Sequence, residues 1–240
     1  WGGAKRARAW CAAGLLGAAA AQAHAQPANP PLQPQQPSIR LAMIEGLSGP
    51  FANTGEAVFR GKGFTAVGLT EILAAAGVPK GSFYHYFRSK EGFGVDMLTR
   101  YFSQYDEELR ALLMDAPGTG RERLLHYFGR WAARCEHGDA QARATACLAV
   151  KLSAEVSDLS EPMREVLVAG MEQVQRRLAQ ALTAGQADAS IDPALQAESL
   201  AGALYQLWVG AELLTKVRRD GEPFACALQQ TQAWLRPIAP

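Results

Sequence analysis

The run Lys80-Gly81-Ser82-Phe83-Tyr84-His85-Tyr86-Phe87-Arg88-Ser89-Lys90 places three cations, four aromatic rings and an imidazole in eleven positions. Ammonium, guanidinium, phenol, hydroxyl and imidazole donors at that density suit contact with an extended polyanion, whose phosphate oxygens accept and whose base edges can be read. The wider segment from Arg60 to Lys90 carries five cations against Glu71 alone, in a chain whose net charge is only +1. A basic segment on a mildly acidic body points the same way. The competing reading is a solvated charged face over an aromatic core. It accounts for Phe83 and Phe87, which are four residues apart and share a helix face. It leaves Tyr84, His85 and Tyr86 together on the opposite side without a reason.

A second place for chemistry is Cys147. With Thr145 as cap, the thiol falls in the first turn of a helix running to Val156, where the macrodipole favours a thiolate. Lys151, one turn on, adds positive charge, and Glu155, a further turn on, could pair with Lys151 and weaken that help. The alternative is a small buried apolar cysteine. Lys216, beside Leu213 and Val217 on an apolar face, is a further candidate for the same pocket, with a snorkelling lysine as the alternative. Other chemistries find less support. Cys11, Cys135, Cys147 and Cys226 form no CxxC pair, and Cys135-Glu136-His137 supplies only two ligands, so no metal centre is expected. No nucleophile and base are brought together by spacing and no cofactor loop is present, so neither an enzyme nor a cofactor is expected.

The elements that must position these groups are helical. Leu69, Ile72, Leu73 and Ala76 recur with the helical period, Gly77 suits a left-handed stop, and Pro79 restarts the chain. Two short helices across a glycine-containing turn form a helix-turn-helix, whose second helix enters a major groove. Downstream, long amphipathic stretches alternate with breakers: Glu91 to Met114, Arg121 to His137, Cys147 to Val156, Pro162 to Gly185, and a helix opened by Asp192-Pro193 and running to about Arg219. Pro223 opens the last, which runs to Arg236. From Gly61 onward the expected class is all-α.

The first sixty residues have a different character. Lys5, Arg6 and Arg8, the small-apolar run Ala9 to Ala21 and Ala23-His24-Ala25 have the pattern of a secretion signal over 1–25. The apolar run is too short for a membrane anchor. Prolines at 27, 30, 31, 34 and 37 make 26–38 a linker. Residues 39–60, with a short strand expected at Ile39 to Ile44, resemble the start of a periplasmic solute-binding protein of the branched-chain amino-acid type. A lone strand has nothing to pair with.

The segment GFTAVGLTEILAAAGVPKGSFYHYFRSKEGFG, in contrast, resembles the DNA-binding signature of the tetracycline-repressor (TetR) family of bacterial regulators. The Gly-Phe-Thr entry, the Ala-Gly-Val turn, the Tyr-His-Tyr-Phe helix and the Ser-Lys-Glu start of the connecting helix occur in order. The resemblance implies a DNA-binding domain over 61–92 and a helical regulatory and dimerisation domain over 93–240. It implies base-proximal roles for Thr70, Lys80 and Gly81, and phosphate-proximal roles for Ser82, Tyr84, His85, Tyr86 and Lys90. The partners implied are a palindromic operator, a small effector, and a second copy joined through helices at about 194–219 and 223–236.

Residues 146–166 resemble the matching segment of electrophile-responsive, N-ethylmaleimide-type members, in which a cysteine at the Cys147 position reacts and DNA is released. The expected function is a cytoplasmic repressor, with the export-like start in conflict. A solute-binding fragment, or a fusion of the two, is the alternative. One departure is expected to matter. The only candidate for the family's first helix is Phe51 to Arg60, interrupted by Gly55, and three missing core side chains would cost ~5–9 kcal/mol. On this reading 1–60 is an extension spliced onto a repressor that lacks most of its first helix.

Overall fold

The computed structural model describes residues 53–136 and 147–236. The signal-like segment, the proline-rich linker and the strand expected at Ile39 to Ile44 lie outside the described residues, as do Thr145 and His137. The described residues are helical and contain no strand, as the periodicity predicts.

Helix α1 spans 53–62. It runs unbroken through Gly55, contrary to the interruption expected there. A Cβ at that position would lie 2.5 Å from Phe93 Cζ, so Gly55 allows α1 to approach the next layer. Phe59 is fully buried, with its ring 5.2 Å from Phe64 and 6.0 Å from Phe93.

Helix α2, Leu69–Ala76, ends at Gly77, whose φ of 65° is left-handed. The Val78 N–H donates to the Leu73 carbonyl at 3.0 Å, the six-to-one bond of a Schellman stop. Pro79 then caps α3, Lys80–Tyr86. Ser89 starts α4, Lys90–Arg110, by accepting the Gly92 N–H. One π-helical turn, Ala111–Asp115, extends α4.

The regulatory half begins with α5, Gly120–Glu136. Thr119 and Glu122 exchange hydrogen bonds across its first turn, a reciprocal cap. Helix α6, Leu148–Val156, is short. Helix α7, Glu161–Ala187, is capped by Ser160 with Pro162 in its first turn. Helices α8, Ala197–Arg218, and α9, Glu222–Trp234, complete the described chain. Asp192-Pro193 does not open α8. The Asp192 carboxylate accepts the Ala194 N–H at 2.8 Å in a tight turn. The Gln186 amide, donating to the Asp192 and Leu195 carbonyls at 3.1 and 2.8 Å, ties that turn to α7.

The buried side chains form two clusters. One is built on Trp208, whose ring stacks with those of Phe128, Trp131 and Phe224 at 4.8, 5.4 and 5.7 Å and whose indole N–H donates to Thr231 at 2.9 Å. It joins α5, α7, α8 and α9. The other gathers Phe59, Ile72, Leu73, Phe83, Phe87, Phe93 and Met97 from the first four helices. It also takes Leu148, Ala149, Leu152 and Val156 from α6. Helix α6 therefore shares its core with the helix-turn-helix.

Full burial of Phe59 makes α1 part of this second cluster. Phe59→Ala is expected to lower unfolding free energy by ~3–5 kcal/mol, as for other large-to-small core changes. Urea denaturation followed by circular dichroism measures it. A loss under ~1 kcal/mol would mean that α1 is only an appendage.

Candidate nucleic-acid interface and thiol site

Helix α3 has seven residues, too few to be stable alone. Its inner face holds it. Phe83 and Phe87 are buried, with ring centres 5.1 Å apart, and both rings meet Phe93 of α4, at 6.0 and 5.1 Å. Fixing the inner face fixes what the outer face presents. Lys80, Gly81, Ser82, Tyr84 and His85 are exposed there. The Tyr84 ring stands edge-on to Phe83 at 5.4 Å, with the Lys80 ammonium 6.0 Å from its centre. Thr70, in the first turn of α2, is exposed as well.

Two residues of the expected set are placed differently. Tyr86 is half-buried against the core, its ring edge-on to His85 at 4.9 Å. Lys90 begins α4 as expected, but its ammonium donates to the Phe64 carbonyl and lies 4.2 Å from the centre of the Phe64 ring. Burial lowers its pKa, and the Glu155 carboxylate acts in the opposite direction. The other six residues present side chain or backbone to solvent in one short segment and the helix before it.

Cys147 differs from expectation in its electrostatics. It is the N-cap residue of α6 rather than a first-turn residue. Burial pushes its thiol pKa up, and hydrogen bonds from Tyr101 and from the Val150 and Ala149 N–H groups do not overcome that. The Tyr101 hydroxyl lies 3.4 Å from Sγ. Tyr101 stacks on Tyr105 at 6.0 Å, and the Tyr105 and Tyr127 hydroxyls meet at 2.6 Å. The Cys147 N–H donates to Glu212 of α8 at 3.0 Å. The thiol therefore sits among phenols and packs against both clusters.

Lys151 gives the thiol no help, because its ammonium donates to the Arg60 and Gly61 carbonyls. Glu155 turns to Phe64 and Thr65. Lys216 is exposed, one turn beyond Glu212, and its charge contributes to lowering the Lys151 pKa, after burial. Sequence reasoning missed Tyr101, Tyr105 and Glu212. The four-residue spacing of the two tyrosines was the one available signal. Among the described residues, no group of three or more His, Cys, Asp or Glu side chains could hold a metal ion. Among the same residues, no helix is long and apolar enough to cross a membrane.

Residues 53–93 match the family described as bacterial regulatory proteins, tetR family, and residues 115–231 match the tetracyclin repressor-like C-terminal domain. The HTH-type transcriptional repressor NemR of Escherichia coli K12 is 45% identical over 176 residues, covering 73% of this chain and 86% of that protein. The HTH-type transcriptional repressor DhaR of a Mycobacterium species is 37% identical over 169 residues, covering 70% and 82%. The crystal structure of reduced E. coli NemR aligns with a TM-score of 0.76 at 41% identity, covering 81% of this chain and all 100% of that one. The regulatory protein TetR from Rhodobacter sphaeroides aligns at 0.69 and 30% identity, over 77% and 96%. The chain belongs to the TetR family. Residues 53–60, grouped above with the solute-binding-like fragment, fall within the matched N-terminal domain.

Cys147 is half-buried as a residue, with its thiol turned inward among the phenols, and that desolvation sets its intrinsic reactivity. At neutral pH its alkylation by iodoacetamide should be slower than that of free cysteine. The Cys147 rate should still be rising as pH passes 9.0, since its pKa lies above that ordinary value. Tyr101→Phe removes a hydrogen bond that favours the thiolate and should slow Cys147 further. Peptide mass spectrometry over a time course reads each rate.

Proposed function

We propose that this TetR-family chain is a cytoplasmic transcriptional repressor, and that modification of Cys147 by a small electrophile or oxidant releases it from a palindromic operator. The observation that carries the DNA-binding part is the two-faced construction of α3. Phe83 and Phe87 lock one face, and Lys80, Ser82, Tyr84 and His85 stand exposed on the other. In a major groove, Lys80 would reach base edges and Gly81 would allow close approach, with Thr70 adding a contact from α2. Ser82, Tyr84 and His85 would donate to phosphates. Tyr86 contributes from a half-buried position. Lys90 serves mainly through the amino end of α4, whose dipole favours a phosphate, because its ammonium is turned onto Phe64.

A palindrome requires two recognition helices one helical turn of DNA apart, and so a dimer. Helices α8 and α9 are the proposed interface. Leu213, Leu214 and Val217 of α8 are exposed, at 47%, 51% and 78%, and pairing with a second copy would cover them. Cys147 is the proposed sensor because it touches both hydrophobic clusters. Added bulk at that point alters the packing between the regulatory core and the DNA-binding core. Lys216 is retained as a secondary participant near Lys151.

Lys80→Ala and Tyr84→Ala should lose operator binding while keeping helicity and dimerisation. Lys90→Ala should flatten the dependence of log K on log salt by about one unit or less. Unchanged binding in all three would remove α3 from the interface. For the sensor, N-ethylmaleimide should weaken operator binding of the unsubstituted protein by roughly a hundredfold, ~2.7 kcal/mol, within ordinary allosteric coupling. Cys147→Ser should be indifferent to the reagent. Equal release from both proteins would exclude Cys147 as the sensor.

A further inference from the structure

Cys147 is engaged at both its backbone and its sulfur. Its N–H donates to the Glu212 carboxylate of α8 at 3.0 Å, across 65 residues of sequence. A hydrogen bond to an ionised acceptor is stronger than one to a neutral acceptor, so the contact pins the residue. It also brings a negative charge to the residue that carries the thiol. Cys147 and Glu212 are both half-buried.

The sulfur has mixed surroundings. Burial raises the thiol pKa, and the Glu212 charge adds to that effect. Against them stand the Tyr101 hydroxyl, 3.4 Å from Sγ, and the Val150 and Ala149 N–H groups in the first turn of α6. Three donors around one sulfur suit a thiolate, and a carboxylate beside it does not.

The other groups that face this point are neutral or directed elsewhere. Burial holds the Tyr101 and Tyr105 phenols of α4 and the Tyr205 phenol of α8 above their ordinary range, so they stay uncharged. Tyr127 of α5 is bonded to Tyr105. The Lys151 ammonium is turned to the Arg60 and Gly61 carbonyls, and the Glu155 carboxylate to Phe64 and Thr65. Lys216 is exposed, one turn beyond Glu212. The Arg60 guanidinium lies 5.5 Å from the centre of the Tyr101 ring and is paired with Glu56.

We propose that Glu212 is a specificity-determining residue for chemistry at Cys147: its carboxylate fixes the backbone of that residue and holds a charge beside the sulfur, which slows electrophiles in general and anionic ones most. The thiolate is the nucleophile, and a neighbouring negative charge disfavours it. An anionic reagent meets the same charge a second time as it approaches, and a neutral reagent does not. Partial burial limits the screening that would otherwise weaken the charge. The consequence for DNA rests on the reading of Cys147 as sensor, and the consequence for the thiol does not.

The experiment uses the full chain, unsubstituted and as Glu212→Gln. Glutamine keeps the length of the side chain and a carbonyl acceptor for the Cys147 N–H, and removes the charge. Each protein is treated with neutral iodoacetamide and with anionic iodoacetate across a range of pH, and mass spectrometry quantifies the peptide that contains Cys147. With iodoacetamide at neutral pH, Glu212→Gln should react roughly threefold faster, the gain in thiolate being partly returned as lower nucleophilicity. Its curve of rate against pH should lie at lower pH. The ratio of the iodoacetate rate to the iodoacetamide rate should also rise, by roughly threefold. A residue that only anchors α6 would move neither readout, because glutamine keeps the bond. An unchanged curve or an unchanged ratio overturns the proposal. Glu212→Ser, which also lacks the charge and leaves room for a water at the Cys147 N–H, makes the same test should Glu212→Gln fail to reach native helicity.

Operator release by N-ethylmaleimide separates this inference from the sensor reading. Release of Glu212→Gln at roughly one third of the reagent exposure that the unsubstituted protein needs supports both. Faster alkylation of Cys147 with no release from either protein keeps the role of Glu212 and removes the sensor reading. Equal alkylation rates, with both proteins released at the same exposure, remove the role of Glu212 and keep the sensor reading.

Discussion

The packing of Phe83 and Phe87 onto Phe93 is the contact on which the DNA-binding half depends. A seven-residue helix fixes too few hydrogen bonds to offset the entropy of ordering it, so α3 exists only where its inner face is buried. Two phenylalanines one turn apart supply that burial, at about 1.5–3 kcal/mol each. Their ring contacts with Phe93 of α4, which in turn meets Phe59, give the helix one orientation rather than several. The outer face is then free of packing duties. Exposed tyrosine and histidine on so short a helix are tolerable because the stability comes from the other side.

The boundary between the two hydrophobic clusters does not coincide with the boundary between the two matched domains. Helix α6 falls within the stretch matched by the C-terminal domain, yet its buried residues pack with the helix-turn-helix. Cys147, at its start, packs against both clusters. A change of volume at such a position cannot be absorbed by one core alone. Interiors are close-packed, so added atoms move whole elements rather than compress them. The raised thiol pKa belongs to the same arrangement. Burial that lowers reactivity toward bulk reagents also ensures that any group attached there is felt.

The helix-turn-helix was legible because its signals are local. The period of Leu69, Ile72, Leu73 and Ala76, the left-handed Gly77, and the restart at Pro79 act within a few residues, and the helix ends agree closely. The all-α class was legible for the same reason. Two local signals misled. Asp192-Pro193 has the chemistry of a helix start, but the aspartate closes its own turn and Gln186, from the preceding helix, holds it. Gly55 has the chemistry of a break, but helix propensity is a weak prior where a neighbouring ring demands a hydrogen in place of a side chain. The thiol site was legible only as residue types. Thiol, lysine and carboxylate at four-residue spacing look like one helix face acting on itself. The partners that decide their behaviour, Tyr101, Arg60, Phe64 and Thr65, are 46 to 91 residues away.

That distance in sequence also determines how signals can pass. Lys151 and Glu155 bond to backbone groups, and the Thr65 hydroxyl is the one side-chain partner among those contacts. A grip on backbone is insensitive to most substitutions in the turn, with Gly63 the exception because its missing side chain leaves room for the carboxylate. A grip on backbone is also stiff, since moving a carbonyl or an N–H moves the chain itself. With α4 holding the same turn through Lys90, residues 60–65 are fixed at once by a helix of the matched C-terminal domain and by the helix that follows the helix-turn-helix.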